Sequence, residues 1–411
     1  MTCTLRSILS SARNRGPAWF LLGFVLLFAL PAFAQTEDQD PTLDAPARFL
    51  IETITVEGID RPATREIVVE ESRIHTGLEV DEDQLRLAIY RVRRLPFVID
   101  ADFSLRKGSE RGRYELVIRI EMASSIVADL GATWYEARSV GFITGFDGSA
   151  TVGARKFIGS RGYAFGSIDE NGNLNVGYTQ FHLFGPGSYL SAVGSTDVND
   201  GEPGYRLSLT AGKPLTATQS LRGSVAYLEV GVESFREARG QTGFLEWRFD
   251  STDDPLLPTE GASVSVSALG VTSKSRIRVD GTVLSLETRS WSVGALARRY
   301  WPLASRHSIW GELSAAHLFA GLDLEQRSNP NDTGTASVGY SWDLIRSQVG
   351  APRNDLRFTT GASYSLTSHA FDQGFYGRVL VLDARLIYRR AQGSVSLAFS
   401  YAKPFDQRRL F

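Results

Sequence analysis

Strict two-residue alternation dominates the 289 residues that follow Met122, and no convincing amphipathic helix interrupts it. Segments of 8 to 14 residues recur between Gly, Asp, Asn and Pro turns. In 334–344, Ala336, Val338, Tyr340, Trp342 and Leu344 oppose Ser337, Gly339, Ser341 and Asp343. In 378–390, Leu380, Leu382, Ala384, Leu386 and Tyr388 oppose Asp383, Arg385 and Arg389, and in 394–401, Val395, Leu397, Phe399 and Tyr401 oppose serines and Ala398. Leu245, Trp247 and Phe249 oppose Glu246, Arg248 and Asp250, while Ala262, Val264, Val266 and Ala268 oppose three serines. Successive strand side chains point to opposite faces, so every segment has one apolar face and one small or charged face. A soluble sandwich shares that period. Aromatics near strand ends (Tyr135, Tyr163, Trp301, Trp342, Phe405) and the length of the pattern favour an antiparallel transmembrane β-barrel over 123–411 instead. Mean hydropathy of −0.12 excludes a polytopic helical membrane protein and suits strands that average a lipid face with a polar lumen face.

Fifteen strand segments can be counted, near 125–135, 139–158, 162–169, 174–183, 188–198, 205–213, 220–231, 242–250, 261–271, 281–301, 308–319, 334–344, 355–366, 378–390 and 393–403. Single-chain bacterial barrels normally have an even number. Because 139–158 and 281–301 are long enough to hide a hairpin, sixteen strands are expected, within a range of 12 to 16.

The amino terminus reads as an export signal over residues 1–34. Arg6, Arg13 and Arg15 precede an uncharged run from Ala18 to Leu30, and Ala32-Phe33-Ala34 offers a small-x-small cleavage site. The run is shorter than a spanning helix needs. Cys3, the only cysteine, falls within this signal, so disulfides, cysteine-based zinc sites and a cysteine nucleophile are excluded from the expected mature chain. Residues 35–47 form an acidic linker with two prolines and little to bury.

Residues 48–122 have a different character, and the pattern predicts a small α+β domain of order βααββ. Phe49 to Gly58 is a β-branched run, and Pro62 opens a short helix to about Ile74. Asp81 with Gln84 makes a capping-box start to a second helix, whose apolar face is Leu85, Ala88, Ile89, Val92 and Leu95; Pro96 ends it. Ile99 to Arg106 and Tyr114 to Met122 complete a three-stranded sheet. Phe49–Gly58 and Tyr114–Met122 are the expected edges, able to take an extended client chain by β-augmentation or to be blunted by Glu52, Glu57 and Arg119.

One small βααββ domain ahead of a barrel resembles the POTRA-plus-barrel superfamily of outer-membrane assembly and translocation proteins, which includes BamA-like and TamA-like insertases and two-partner secretion transporters. KFIGSRGYAFGS (156–167) and LNVGYTQFHLFGPGSYLSA (174–192) resemble early strands of such barrels, and GSVSLAFSYAKPF (393–405) resembles a C-terminal strand. FDSTDDPLLPTEGASVSVS (249–267) resembles the family's Asp-x-x-x-x-x-x-Pro-Thr-x-Gly turn, which falls here on Asp250, Pro258, Thr259 and Gly261. Prolines remove donors where no ladder partner exists and Gly261 supplies freedom before the next strand, so a structural turn on the periplasmic side explains the same residues. The family's Val/Ile-Arg-Gly-aromatic loop motif is not matched. FAGLDLEQRSN (319–329) keeps Asp323 and Arg327 at matching spacing, and reads either as a degenerate version or as a charged surface loop. Arg161-Gly162-Tyr163 matches the letters but lies in an early strand region, and the role is not carried onto it.

Chemistry is scarce. The five histidines have no close metal-ligand spacing, and no nucleophile elbow, P-loop or dinucleotide fingerprint occurs, so neither catalytic residues nor cofactors nor metals are expected. Asp253-Asp254 is expected to be a solvated pair in a Pro-rich turn. Glu246, Arg248, Asp383, Arg385 and Arg389 face the expected lumen, where they either set solute preference or support a plug, or pair with one another across neighbouring strands. A net charge of −2 gives no basic field for nucleic acid. The resemblance implies a barrel in the cell outer membrane with a periplasmic POTRA-like domain. It would help insert or translocate unfolded or extended polypeptide clients, with the lipid bilayer and other envelope assembly factors as partners. The alternative is a passive pore or structural barrel without translocation activity.

Overall fold

The computed structural model describes residues 47–138, 142–199, 202–232, 236–254, 257–279, 282–319, 331–347, 353–369 and 375–405. Asp323, Arg327, the expected signal and most of the acidic linker lie outside the described residues.

The small domain contains β1 (Phe49–Glu57), α1 (Pro62–Ser72), β2 (Glu79–Val80), α2 (Glu82–Arg93), β3 (Val98–Lys107) and β4 (Arg113–Met122). Pro62 sits where helix α1 has no partner for a first-turn N–H, and Arg73 in a left-handed conformation (φ 58°) stops it. Asp81 and Gln84 form the full capping box of α2, and Glu82, Asp83, Arg91 and Arg93 match its dipole. The sheet has four strands in the order β2-β1-β4-β3, rather than the three expected. Two-residue β2 carries too little pattern to register in sequence. More consequentially, Tyr114–Met122 lies in β4, which is central, paired parallel to β1 and antiparallel to β3. The open edges are therefore β3 and the part of β1 beyond Ile51, because β2 pairs with Phe49 and Leu50 alone; the expected edge at Phe49–Gly58 holds for that part. Ile51, Ile67, Val68, Val80, Leu85, Val92, Leu116 and Ile118 fill the space between helices and sheet and are all buried.

The remaining strands close into one barrel. They are β5 (Ile126–Arg138), β6 (Phe142–Ile158), β7 (Gly162–Asp169), β8 (Leu174–Phe181), β9 (Tyr189–Asn199), β10 (Glu202–Pro214), β11 (Gln219–Val232) and β12 (Arg236–Asp250), followed by β13 (Gly261–Val279), β14 (Thr282–Ala304), β15 (His307–Phe319), β16 (Asn331–Ile345), β17 (Asn354–His369), β18 (Phe375–Arg390) and β19 (Gly393–Phe405). Among the described residues that makes fifteen, not sixteen: β6 and β14 are each a single long strand, paired along their length with no internal turn. An antiparallel meander of odd count must bring its first and last strands together in parallel, and β19 meets β5 that way, from Gly393↔Ala128 to Ala402↔Ala137. The register carries one apolar row round the outside, with Leu130, Trp134, Val152, Val176, Leu207, Val225, Leu245, Val266, Val338, Leu382 and Leu397 all exposed.

At the seam, Asp129 Oδ1 accepts hydrogen bonds from the Ser394 N–H (2.9 Å) and hydroxyl (2.6 Å). Gly393 has φ 144°, and a Cβ there would stand 1.8 Å from the Ala128 carbonyl oxygen. Gly393→Ala is expected to cost about 1–3 kcal/mol, the usual range for a strained backbone position. Denaturant unfolding followed by β-sheet circular dichroism measures it, and an unchanged midpoint would show that the seam tolerates a side chain.

Candidate functional site at the mouth of the barrel

The connection from Asp250 to Gly261 is an organised turn. Asp253 Oδ1 accepts from the Thr259 and Glu260 N–H groups (2.8 and 3.0 Å) and Oδ2 from the Thr259 hydroxyl (2.6 Å). Gly261 has φ 98°, and a Cβ there would lie 2.3 Å from the Ser251 carbonyl, so this corner requires glycine. The turn does not stand in solvent. It reaches across the mouth to β17, where buried Arg357 donates to the Leu257 and Pro258 carbonyls (2.9 and 3.0 Å) and clasps Asp343 of β16 with Nε and Nη2. Arg353 joins Asp254 (2.7 Å) to Asp355 (2.5 Å). The expectation of a solvated Asp253-Asp254 pair is thus corrected: Asp254 is 16% exposed and held by Arg353, because its arginine partner comes from a distant strand connection.

The small domain is fastened to the same rim. On α2, Tyr90 donates to the Asp250 carbonyl (2.5 Å), and Arg94 pairs with the Asp250 carboxylate (2.8 Å) and with the Tyr90 oxygen. Burial and the Asp250 carboxylate push the Tyr90 phenol well above its ordinary range, so it remains a neutral donor. Arg353 donates to the Ile99 carbonyl (2.9 Å), and its N–H donates to Glu121 (2.7 Å). Arg61 donates to the Phe157 carbonyl (2.9 Å). Phe97 packs on Phe157 and Phe181 at 4.8 and 5.8 Å between ring centres, edge to face, so the domain core runs into the barrel wall. From α1, Glu70 takes Arg161 (2.6 Å) and His182 Nδ1, while Glu71 faces His182 Nε2 at 3.3 Å. These contacts run round the rim, and the domain lies across the mouth.

Beneath it is a cavity of about 760 Å³ lined by Arg91 and Arg94 of α2, Tyr189, Arg222, Glu246, Arg248 and Arg389. Of the residues singled out in the sequence, Asp250, Pro258, Thr259 and Gly261 come together in the crossing turn. Glu246 and Arg248 lie just inside, bonded to Arg222 (2.8 Å) and Asp250 (2.7 Å). Arg389 borders the cavity, whereas Asp383 and Arg385 line the inner face away from it. Tyr90, Arg94, Glu70, Glu71, His182, Arg353 and Arg357 escaped sequence reasoning. The Tyr90/Arg94 pair at i,i+4 on the polar side of α2 was the one local signal that could have shown them.

No protein-family model matches this chain, and no curated protein matches it. Among solved structures, the crystal structure of BamA from Haemophilus ducreyi lacking POTRA domains 1-3 is similar over 88% of this chain and 82% of its own, at 15% identity and a TM-score of 0.44. Fold and site together define the class: a closed fifteen-stranded β-barrel whose mouth is crossed by its own turn and by a docked α+β domain.

Two outcomes follow from the geometry. Arg357→Ala would leave buried Asp343 with only the Arg346 guanidinium, 3.8 Å away, and is expected to cost about 3–5 kcal/mol in equilibrium unfolding; a loss below 1 kcal/mol would show that the pair carries little. At His182, burial opposes the charged ring, but hydrogen bonds and charges from Glu71 and Glu70 outweigh it and hold the imidazole above its ordinary value. With the folded value raised, the stabilisation is complete below the unfolded value of about 6.5 and disappears as pH climbs through the folded one. Amide exchange in α1 should therefore quicken over that window, and His182→Gln should abolish the step. An identical pH profile in the variant would overturn the latch.

Proposed function

We propose that this chain is an outer-membrane barrel, with its small POTRA-like domain on the periplasmic side, that assists insertion or translocation of other polypeptides. The apolar row round a closed wall supports a lipid setting, since strands span a bilayer only when closed into a barrel. The periplasmic placement of the domain rests on its resemblance to the POTRA domains that precede barrels of this kind. Enzymatic chemistry, cofactors and nucleic acid play no part in this reading; clients, the bilayer and other envelope assembly factors do.

The observation that carries the reading is a sheet with an open edge held across a barrel mouth. Gly108 N–H bonds to Arg113 (2.9 Å), which sets the phase of the β3–β4 ladder. Even-numbered residues of β3 turn their backbone groups to β4, and odd-numbered ones turn them outward. Ala101 is already capped by Arg93 and Asp100 (2.9 and 2.8 Å). Phe103, Leu105 and Lys107 remain for an extended client, largely regardless of its sequence.

Liposome-reconstituted protein should speed insertion of an unfolded barrel polypeptide. Leu105→Pro removes one outward donor without touching the ladder to β4, and is expected to slow that insertion about fivefold, the value of one hydrogen bond. Removal of residues 48–122 should slow it further. Steady ion conductance with no acceleration by any form would establish the passive pore instead.

A further inference from the structure

The barrel wall has a notch. Strands β7 and β8 have eight residues each, against 17 in β6 and 11 in β9. At about 3.3 Å per residue and a tilt near 40°, eight residues rise about 20 Å, short of an apolar band of about 25 Å. Pairing of β6 with β7 stops at Thr151↔Asp169, whereas its pairing with β5 continues to Phe142↔Arg138. Above the β7–β8 hairpin, β6 therefore has a strand on one side only, and the gap to β9 spans three strand spacings, about 14 Å.

The phase of this edge is fixed. Arg155 N–H bonds to the Ser125 carbonyl (2.8 Å), so odd-numbered residues of β6 face β5 and even-numbered ones face the notch. Glu170, from the β7–β8 turn, caps the first notch-facing donor, Ala150 N–H, at 2.8 Å. Beyond it, the N–H and C=O groups of Phe142, Thr144, Phe146 and Gly148 have no strand partner among the described residues. The β5–β6 ribbon presenting them is braced from inside, where the Tyr135 ring lies against Gly145 and leaves no room for a Cβ.

The outer face says what kind of strand fits. Phe399, Trp134 and Phe146 are successive cross-strand partners over β19, β5 and β6, 45%, 48% and 66% exposed. This aromatic row stops at Phe146 because no strand follows. We infer that the β6 edge receives one strand of an extended polypeptide with alternating apolar and polar residues, an apolar one opposite Phe146. A second copy is a poor occupant: two barrels in one bilayer share its normal, so their β6 strands would cross at twice the tilt rather than pair. This inference rests on the chain handling unfolded polypeptides, and it places the receiving strand away from the β19–β5 seam.

The test is residue-resolved amide exchange on the full chain in lipid nanodiscs, with and without an unfolded eight-stranded barrel polypeptide diluted from urea. Alone, the amides of Thr144, Phe146 and Gly148 should exchange fast while those of Gly145 and Asp147 are protected by β5. With the polypeptide, the first set should slow about tenfold, as two or more new hydrogen bonds require, and the second set should not change. Phe146→Pro with Gly148→Pro removes two edge donors and leaves the β5 ladder intact, so protection at Thr144 should vanish while heat-modifiable gel migration persists. Slow exchange without the polypeptide, which would mean that another part of the chain or a second copy covers the edge, or protection that appears only in β19, would overturn the inference. Accelerated insertion without protection at the notch would overturn it while leaving the proposed function standing. Protection without acceleration would uphold the edge and remove the function.

Discussion

Closure of the wall rests on backbone pairing between β19 and β5, strands whose partners lie more than 250 residues apart in the chain. Everything else in the barrel is a meander of neighbours, each strand placed by the turn before it. The seam alone must join ends that no turn holds together, and it does so in parallel, the slightly weaker arrangement per residue. Asp129 strengthens it by accepting from Ser394, and a glycine at 393 lets β19 begin against the Ala128 carbonyl. A long-range contact of this kind forms late, after the entropy of the intervening loop has been overcome.

At the mouth, a second set of long-range contacts uses charge. Asp250 ends β12, binds Arg94 and Arg248, and anchors the turn that crosses to Arg357. A single carboxylate thereby joins wall, crossing turn and domain. Such a buried polar network holds well when each member is satisfied and loosens when one is removed. The His182 contact differs because its partners are carboxylates of α1 and its charge depends on pH.

Much of the fold was legible because alternation is a local signal. The fifteen segments were in the right places, and the error of sixteen came from a parity rule about barrels rather than from any residue. Lateral order in the small sheet was not legible: nothing in Tyr114–Met122 reveals that β4 sits between β1 and β3, because its hydrophobic run suits a central strand and an edge strand alike. The turn at Asp250, Pro258, Thr259 and Gly261 could be read as a turn, since its prolines and glycine are adjacent. Its partners Asp343, Arg353 and Arg357 could not, since a charge on a strand carries no record of which distant carbonyl or carboxylate it will meet.

The odd strand count also decides where the chain leaves the barrel. Strand β5 starts at the domain side and ends at the far rim, and β19 runs the same way, so Phe405 lies at the end of the wall opposite Phe49. In a barrel of even count the two would share a side. Here a reagent admitted to one rim meets only one of them, so two labels on one molecule would report separately on the two ends of the barrel.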